Sequence, residues 1–149
     1  MKIVKFPKLN DELESISFNA TKNKHYVNFY LDGVQAGFPS PAEDFKEHQL
    51  SLDERYLNNP DATFIIKVVG NSMYPTLQVD DILIVRSDFE LTDNKIGIIS
   101  VNNTDFTVKR FDKNNRILIA DNPDFENIKI ALEDTLLCLG VVQQIIREL

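Results

Sequence analysis

Apolar positions along this chain follow two different regimes. Residues 1 to 33 mix short apolar clusters (Ile3 to Phe6, Tyr26 to Leu31) with polar stretches and sustain no helical period, which predicts an extended arm. Ala36-Gly37-Phe38-Pro39-Ser40-Pro41 comes next, and its two prolines hold the chain extended and deny it helix, so the hinge is expected there. Ser51-Leu52-Asp53-Glu54 has capping-box spacing and Pro60 follows Asn58-Asn59, predicting a short helix near 51 to 58. Beyond it, runs rich in Ile, Val, Phe and Thr recur between turn residues: Thr63 to Val69, Asp81 to Val85, Ile96 to Val101, Phe106 to Phe111, Ile117 to Ala120, Ile128 to Leu132 and Leu136 to Ile146. Asn102-Asn103, Lys113-Asn114-Asn115 and Asp121-Asn122-Pro123 suit the hairpin connections between them. The expected fold is mainly β, an antiparallel domain with one short helix, preceded by the arm.

Composition narrows the function. With 149 residues and 43% hydrophobic content the chain is one domain long and has enough apolar surface for a core. A formal charge of −7 and a pI near 4.8 disfavour direct binding of a nucleic-acid backbone, which needs a basic surface, so a protein partner is expected instead. Charge is uneven: residues 1 to 36 hold five Lys against four acids, and the negative charge lies in the remainder. No helix-turn-helix is legible, and the arm is too short and too strand-like for a DNA-reading domain. The start of the chain lacks the apolar core of a signal peptide, and no apolar run reaches the roughly 20 residues that span a bilayer, so a cytoplasmic protein with no membrane association is expected. The single Cys138, set in Leu136-Leu137-Cys138-Leu139, reads as a buried, unreactive thiol. Neither a glycine-rich phosphate loop nor a Cys/His cluster is present, and no cofactor or metal is expected.

Candidate chemistry centres on Gly70-Asn71-Ser72-Met73-Tyr74-Pro75-Thr76-Leu77, directly after a predicted strand, where a turn exposes the Ser72 hydroxyl. A turn serine that merely caps a helical turn fits the same pattern. A nucleophilic serine needs a base, and both histidines are poor candidates: His25 lies in the arm and His48 in the solvated run Lys46-Glu47-His48-Gln49. Lysine can replace histidine if apolar surroundings lower its pKa from about 10.4, a shift of three units costing about 4 kcal/mol. Lys109 has such a setting, in Phe106-Thr107-Val108-Lys109-Arg110-Phe111, where strand alternation puts it on one face with Thr107 and Phe111 and turns Arg110 away. The same pattern also fits a lysine solvated on an outer sheet face.

These pieces together resemble the UmuD/LexA family of serine-lysine self-cleaving proteins. Gly70-Asn71-Ser72-Met73, Val79-Asp80-Asp81-Ile82-Leu83-Ile84-Val85 and Phe106-Thr107-Val108-Lys109-Arg110 are similar to its nucleophile and lysine motifs. Ala36-Gly37-Phe38-Pro39-Ser40-Pro41-Ala42 resembles its cleavage-site segment, and Glu133-Asp134-Thr135-Leu136 with Gly140-Val141-Val142 its last strands. The likeness runs in order from residue 36 to 147, with 37 residues from Ser72 to Lys109.

The resemblance implies a nucleophilic Ser72, a general base Lys109, oxyanion contacts from the backbone amides of Asn71 and Ser72, and a cut at Ala36-Gly37. It divides the chain into an arm, 1–36, removed by self-cleavage, and a peptidase-like domain, 37–149. It further implies a homodimer that cleaves itself when stimulated by a RecA filament on single-stranded DNA, as part of the SOS response to DNA damage. The processed dimer would serve a UmuC-type Y-family DNA polymerase in error-prone lesion bypass. Three departures stand out: the arm is long, the Ala-Gly bond is the LexA-like pair, and Asn71 stands where acidic residues are familiar. The alternatives are a dimeric interaction protein of the same fold that no longer cuts, a LexA-like repressor fragment, and a relative of the signal peptidases, which share Ser-x-Met-x-Pro-Thr-Leu but need a membrane anchor.

Overall fold

The structure, a computed structural model, describes residues 7–16, 24–28 and 49–149. The chain forms two compact units, one made of Met1–Ser17 with Asp61–Leu149 and the other of Phe18–Pro60.

The first unit is an antiparallel, curled sheet of eight strands. The strands are β1 (Leu13–Ser15), β4 (Thr63–Val68), β5 (Ile82–Arg86), β6 (Ile96–Val101), β7 (Thr107–Asp112), β8 (Ile117–Ile119), β9 (Ile128–Lys129) and β10 (Leu136–Ile146), in the spatial order β1-β4-β5-β10-β6-β7-β8-β9. The eleven-residue β10 joins the two halves, pairing β5 through Val141–Ile146 and β6 through Leu136–Val141, with a register shift in each ladder. Gly140 sits at one shift because a Cβ there would stand 2.7 Å from Val85 Cγ1 and 2.9 Å from the Arg86 carbonyl oxygen. Asn102 and Asn103 take left-handed φ values of 54° and 61° in the predicted turn between β6 and β7.

Burial follows the strand period. Ile66, Val68, Leu83, Val85, Ile98 and Val108 interlock with Met73 and Leu77 in the main core, and Ile99, Leu118 and Ile130 form a smaller one. The first part of the predicted arm belongs to this sheet: β1 pairs with β4, Leu13 opposite Val68, and the Leu13 side chain is buried in the main core.

Three expectations are corrected. Cys138 is exposed, because the register shift between Cys138 and Gly140 breaks the alternation and leaves Leu137 and Cys138 both outward. Desolvation still pushes its thiol above the ordinary range, with Sγ drawn to the Gly140 carbonyl oxygen at 3.4 Å. The last hairpin strand ends at Lys129, not Leu132, because the chain turns: Ala131 N–H donates to Asp134 Oδ2 at 2.7 Å and Asp134 N–H to the Ala131 carbonyl at 3.1 Å. In the second unit, α1 (Leu52–Tyr56) starts at Ser51 as predicted, but the Ser51 side chain makes no capping hydrogen bond, its buried Oγ having no partner among the described residues.

That second unit also pairs β2 (Val27–Asn28) with β3 (Gln49–Leu50). Glu54 on α1 accepts hydrogen bonds from Tyr26 Oη and Lys24 Nζ. Ala36, Gly37 and His48 lie outside the described residues, and His25 is exposed.

Candidate active site

Strand β4 delivers the chain to Gly70, and a tight turn then carries Asn71 and Ser72. Tyr74 N–H donates to the Asn71 carbonyl and Leu77 N–H to the Met73 carbonyl, closing one helical turn. The apolar side chains of Met73 and Leu77, both in the main core, fasten that turn from below, so Ser72 is held at 2% exposure. Asp81 fastens its far end by accepting the Gln78 N–H at 2.8 Å while Arg147 donates to both of its carboxylate oxygens at 2.7 and 2.6 Å. Those Arg147 hydrogen bonds outweigh burial and hold the Asp81 carboxyl below the usual range.

Alternation along β7 does what the sequence pattern predicts, placing Thr107 and Lys109 on one face and Arg110 on the other. Lys109 lies opposite Gly97 of β6 and is 5% exposed. Its Nζ stands 3.1 Å from Ser72 Oγ, 2.8 Å from Thr107 Oγ1 and 3.1 Å from the Val108 carbonyl oxygen. The fourth neighbour, absent from any sequence expectation, is Glu12, whose Oε2 lies 3.1 Å from Lys109 Nζ and accepts the Thr107 hydroxyl at 2.9 Å. Burial pushes the Glu12 carboxyl up, but hydrogen bonds from Ser72, Thr107 and Lys109 together with the Lys109 charge outweigh it, and the group sits below the usual carboxylate range.

A second network steadies the turn from the loop after β8. Asn122 N–H donates to the Ser72 carbonyl at 3.0 Å, and the Asn122 side-chain amide donates to the Asn71 carbonyl at 2.9 Å. Beside it, Asp121 accepts Thr76 Oγ1 at 2.6 Å and a bidentate pair of bonds from Arg110, Nε at 2.9 Å and Nη2 at 2.6 Å. Thr76 is in the Ser72 turn and Arg110 next to Lys109, so one carboxylate couples the two elements that carry the candidate pair.

The hydrogen bonds from Arg110, against the opposing effect of burial, hold the Asp121 carboxyl below its ordinary value. A depressed carboxyl contributes stability that is complete above the unfolded-state pKa, about 3.9, and is lost as pH falls through the lower folded value. Asp121→Asn is therefore expected to cost about 1–3 kcal/mol near neutrality, the worth of hydrogen bonds to a charged group. The loss should shrink in acid. Urea unfolding at pH 7 and pH 3 checks this: an equal loss at both would show that the carboxylate charge contributes nothing.

The structure thus brings together Asn71, Ser72 and Lys109 from the sequence expectation, while Ala36 and Gly37 are outside the described residues. Sequence reasoning missed Glu12, Asp121 and Asn122 as site residues. Thr107 could have been found, since its position two residues before Lys109 puts both on one strand face. Glu12 left no such trace, being separated from Lys109 by 97 residues.

Among known proteins, residues 28–143 match the family described as Peptidase S24-like. Protein MucA of Salmonella typhimurium is 36% identical over 87 residues, 58% of this chain and 59% of MucA. Protein ImpA of the same organism is 32% identical over 121 residues, 78% of this chain and 81% of ImpA. The LexA repressor of Acidithiobacillus ferrooxidans is 39% identical over 120 residues, 76% of this chain and 58% of the repressor. The match therefore spans less than two thirds of the length of MucA and of LexA.

Proposed function

Since the chain belongs to the peptidase S24-like family, the UmuD/LexA group of serine peptidases that cleave themselves, we propose that it cuts its own Ala36-Gly37 bond with Ser72 as nucleophile and Lys109 as general base. The observation that carries this is the 3.1 Å contact between Lys109 Nζ and Ser72 Oγ with both groups nearly sealed from water. That separation is within reach for direct proton transfer.

In the proposed reaction the neutral Lys109 amine takes the Ser72 hydroxyl proton as Oγ attacks the Ala36 carbonyl carbon. The negative charge on the former carbonyl oxygen is met by the backbone amides of Asn71 and Ser72. Collapse of this tetrahedral species breaks the C–N bond, and Lys109 returns its proton to the Gly37 nitrogen as that strand leaves. Water, deprotonated by Lys109, then hydrolyses the acyl ester and frees the Ala36 carboxylate and Ser72. The small Ala36 side chain and bare Gly37 let the scissile backbone come close to the turn.

The products are an arm, 1–36, and a domain, 37–149. From the resemblance to UmuD-like proteins, the cut is stimulated by a RecA filament on single-stranded DNA, with RecA acting as co-protease. The processed homodimer then serves a Y-family DNA polymerase in error-prone lesion bypass in the SOS response. Because the scissile segment is tethered, the rate is set by how often it reaches Ser72 and how often Lys109 is neutral, two steps on which a partner can act. Among the described residues no helix is long and apolar enough to cross a membrane, and a cytoplasmic protein is part of this reading.

Mass spectrometry of the purified chain tests the reaction. Only the amine form of lysine can accept the serine proton, so cutting should be slow near pH 7 and at least about tenfold faster at pH 9 to 10, approaching the ordinary lysine range. Fragments ending at Ala36 and beginning at Gly37 are expected there, and at neutral pH after addition of RecA, single-stranded DNA and a nucleotide. A flat pH profile would exclude a lysine base, and an intact chain under every condition would leave a dimeric interaction protein that does not cut.

A further inference from the structure

The arm's own backbone is seated across the candidate active site at both rims. On one side Val69 N–H and Gly70 N–H both donate to the Glu12 carbonyl, at 2.8 and 3.2 Å, and β1 continues along β4. On the other, Phe106 N–H donates to the Lys8 carbonyl at 3.1 Å and Asn10 N–H to the Phe106 carbonyl at 2.9 Å. Phe106 immediately precedes β7, and Gly70 is two residues before Ser72. Gly70 permits the approach: a Cβ there would stand 2.9 Å from Glu12 Cγ and 3.1 Å from its Cα. Leu13, buried in the main core, anchors the segment.

Hydrogen-bond counting at Lys109 shows what this seat does. A neutral amine has two N–H donors and one lone pair. The Val108 carbonyl and Thr107 Oγ1 would take both donors, and the Ser72 hydroxyl would fill the lone pair, which is the arrangement general-base catalysis needs. Glu12 adds a fourth group, an ionised carboxylate that can only accept. Its Oε2 accepts the Thr107 hydroxyl at 2.9 Å and lies 3.1 Å from Nζ, so it competes with Ser72 Oγ for the lysine head group.

Resting on the serine-lysine reading above, we propose that residues Lys8–Ser15 are a resident inhibitory strand. They occupy the edge of β4 beside Ser72, and Glu12 competes with Ser72 for Lys109 Nζ. A scissile segment, from this chain or a second copy, must displace them to pair with that edge. Loss of residues 1–36 then opens the cleft permanently. A partner that lifts this strand would switch the chain on without contributing any catalytic group.

Two measurements on the full chain test this. Glu12→Gln keeps the shape but removes the charge, and it is expected to raise the rate of Gly37-initiated fragment formation at pH 7.5 at least about tenfold. In a chain kept intact by Ser72→Ala, hydrogen exchange should show the Val69, Gly70 and Phe106 amides protected, and the further change Leu13→Asp should remove that protection while amides of β5 and β6 stay protected. Equal or slower cutting by Glu12→Gln, when the parent chain cuts at alkaline pH, overturns the proposal and makes Glu12 a group that positions Lys109 instead. Unprotected Val69, Gly70 and Phe106 amides in the Ser72→Ala chain overturn it too. If neither the parent nor Glu12→Gln cuts at any pH, the serine-lysine reading itself falls, and the inhibitory role with it.

Discussion

Ser72→Ala is expected to abolish the fragment that begins at Gly37, at pH 9 to 10 and with RecA alike, a loss of at least about 1,000-fold. The expectation follows from geometry as well as chemistry. Among the described residues, Ser72 Oγ is the one hydroxyl that combines contact with Lys109 and a place in the turn held by Asn122. Thr107 Oγ1 is closer to Lys109, at 2.8 Å, but it lies within a paired strand and not in the turn, and its proton is given to Glu12 Oε2. Removing Lys109 as Lys109→Met, which keeps the aliphatic stem, should have the same effect, because the two groups act as a unit and their losses do not add. Mass spectrometry over several days at alkaline pH is the measurement. An undiminished fragment pattern in Ser72→Ala would assign the cut to a contaminating protease.

Leu77→Ala should lower the unfolding free energy by about 2–5 kcal/mol, the range for a fully buried leucine whose cavity cannot collapse. Leu77 is 0% exposed and packs in the main core beneath the nucleophile turn, while its N–H closes that turn on the Met73 carbonyl at 2.9 Å. The cavity would therefore form directly under Ser72. Urea unfolding should show a lower midpoint with an unchanged slope, since the same surface is exposed on unfolding. Self-cleavage of the variant, measured where it remains folded, should also slow, because Ser72 Oγ must hold its position relative to Lys109 within a few tenths of an ångström. A loss under about 1 kcal/mol would mean that the turn is not supported from the core.

The β architecture was legible because strand periodicity is a local property. The runs Asp81 to Val85 and Ile96 to Val101 read as strands, and the structure has strands at Ile82–Arg86 and Ile96–Val101, while the asparagines at 102 and 103 adopt the left-handed conformation their short polar side chains tolerate. The opposite facing of Lys109 and Arg110 needed only the two-residue repeat of a strand. Where the period breaks, local reading failed: the register shift beside Gly140 is set by the partners of β10, and so is the outward turn of Cys138. The predicted strand through Leu132 failed for a related reason, since the Asp134 carboxylate captures the Ala131 amide and bends the chain.

Of the candidate site, Ser72 and Lys109 stood out in the sequence because a nucleophile and its base carry distinctive residue types in distinctive settings, and their pairing rested on the resemblance. What the sequence by itself determined was therefore which segments become strands, which side chains share a face, and which hydroxyl and amine were worth testing. Tertiary structure alone decided that these two meet at 3.1 Å, that Asp121 and Asn122 hold the turn, and that Glu12 enters the site from the arm. The physical reason is one of range. Periodicity and turn chemistry are set by neighbours a few residues away. A contact across 97 residues exists only after the order of strands in the sheet has been chosen, and that choice is made collectively by the burial of the core.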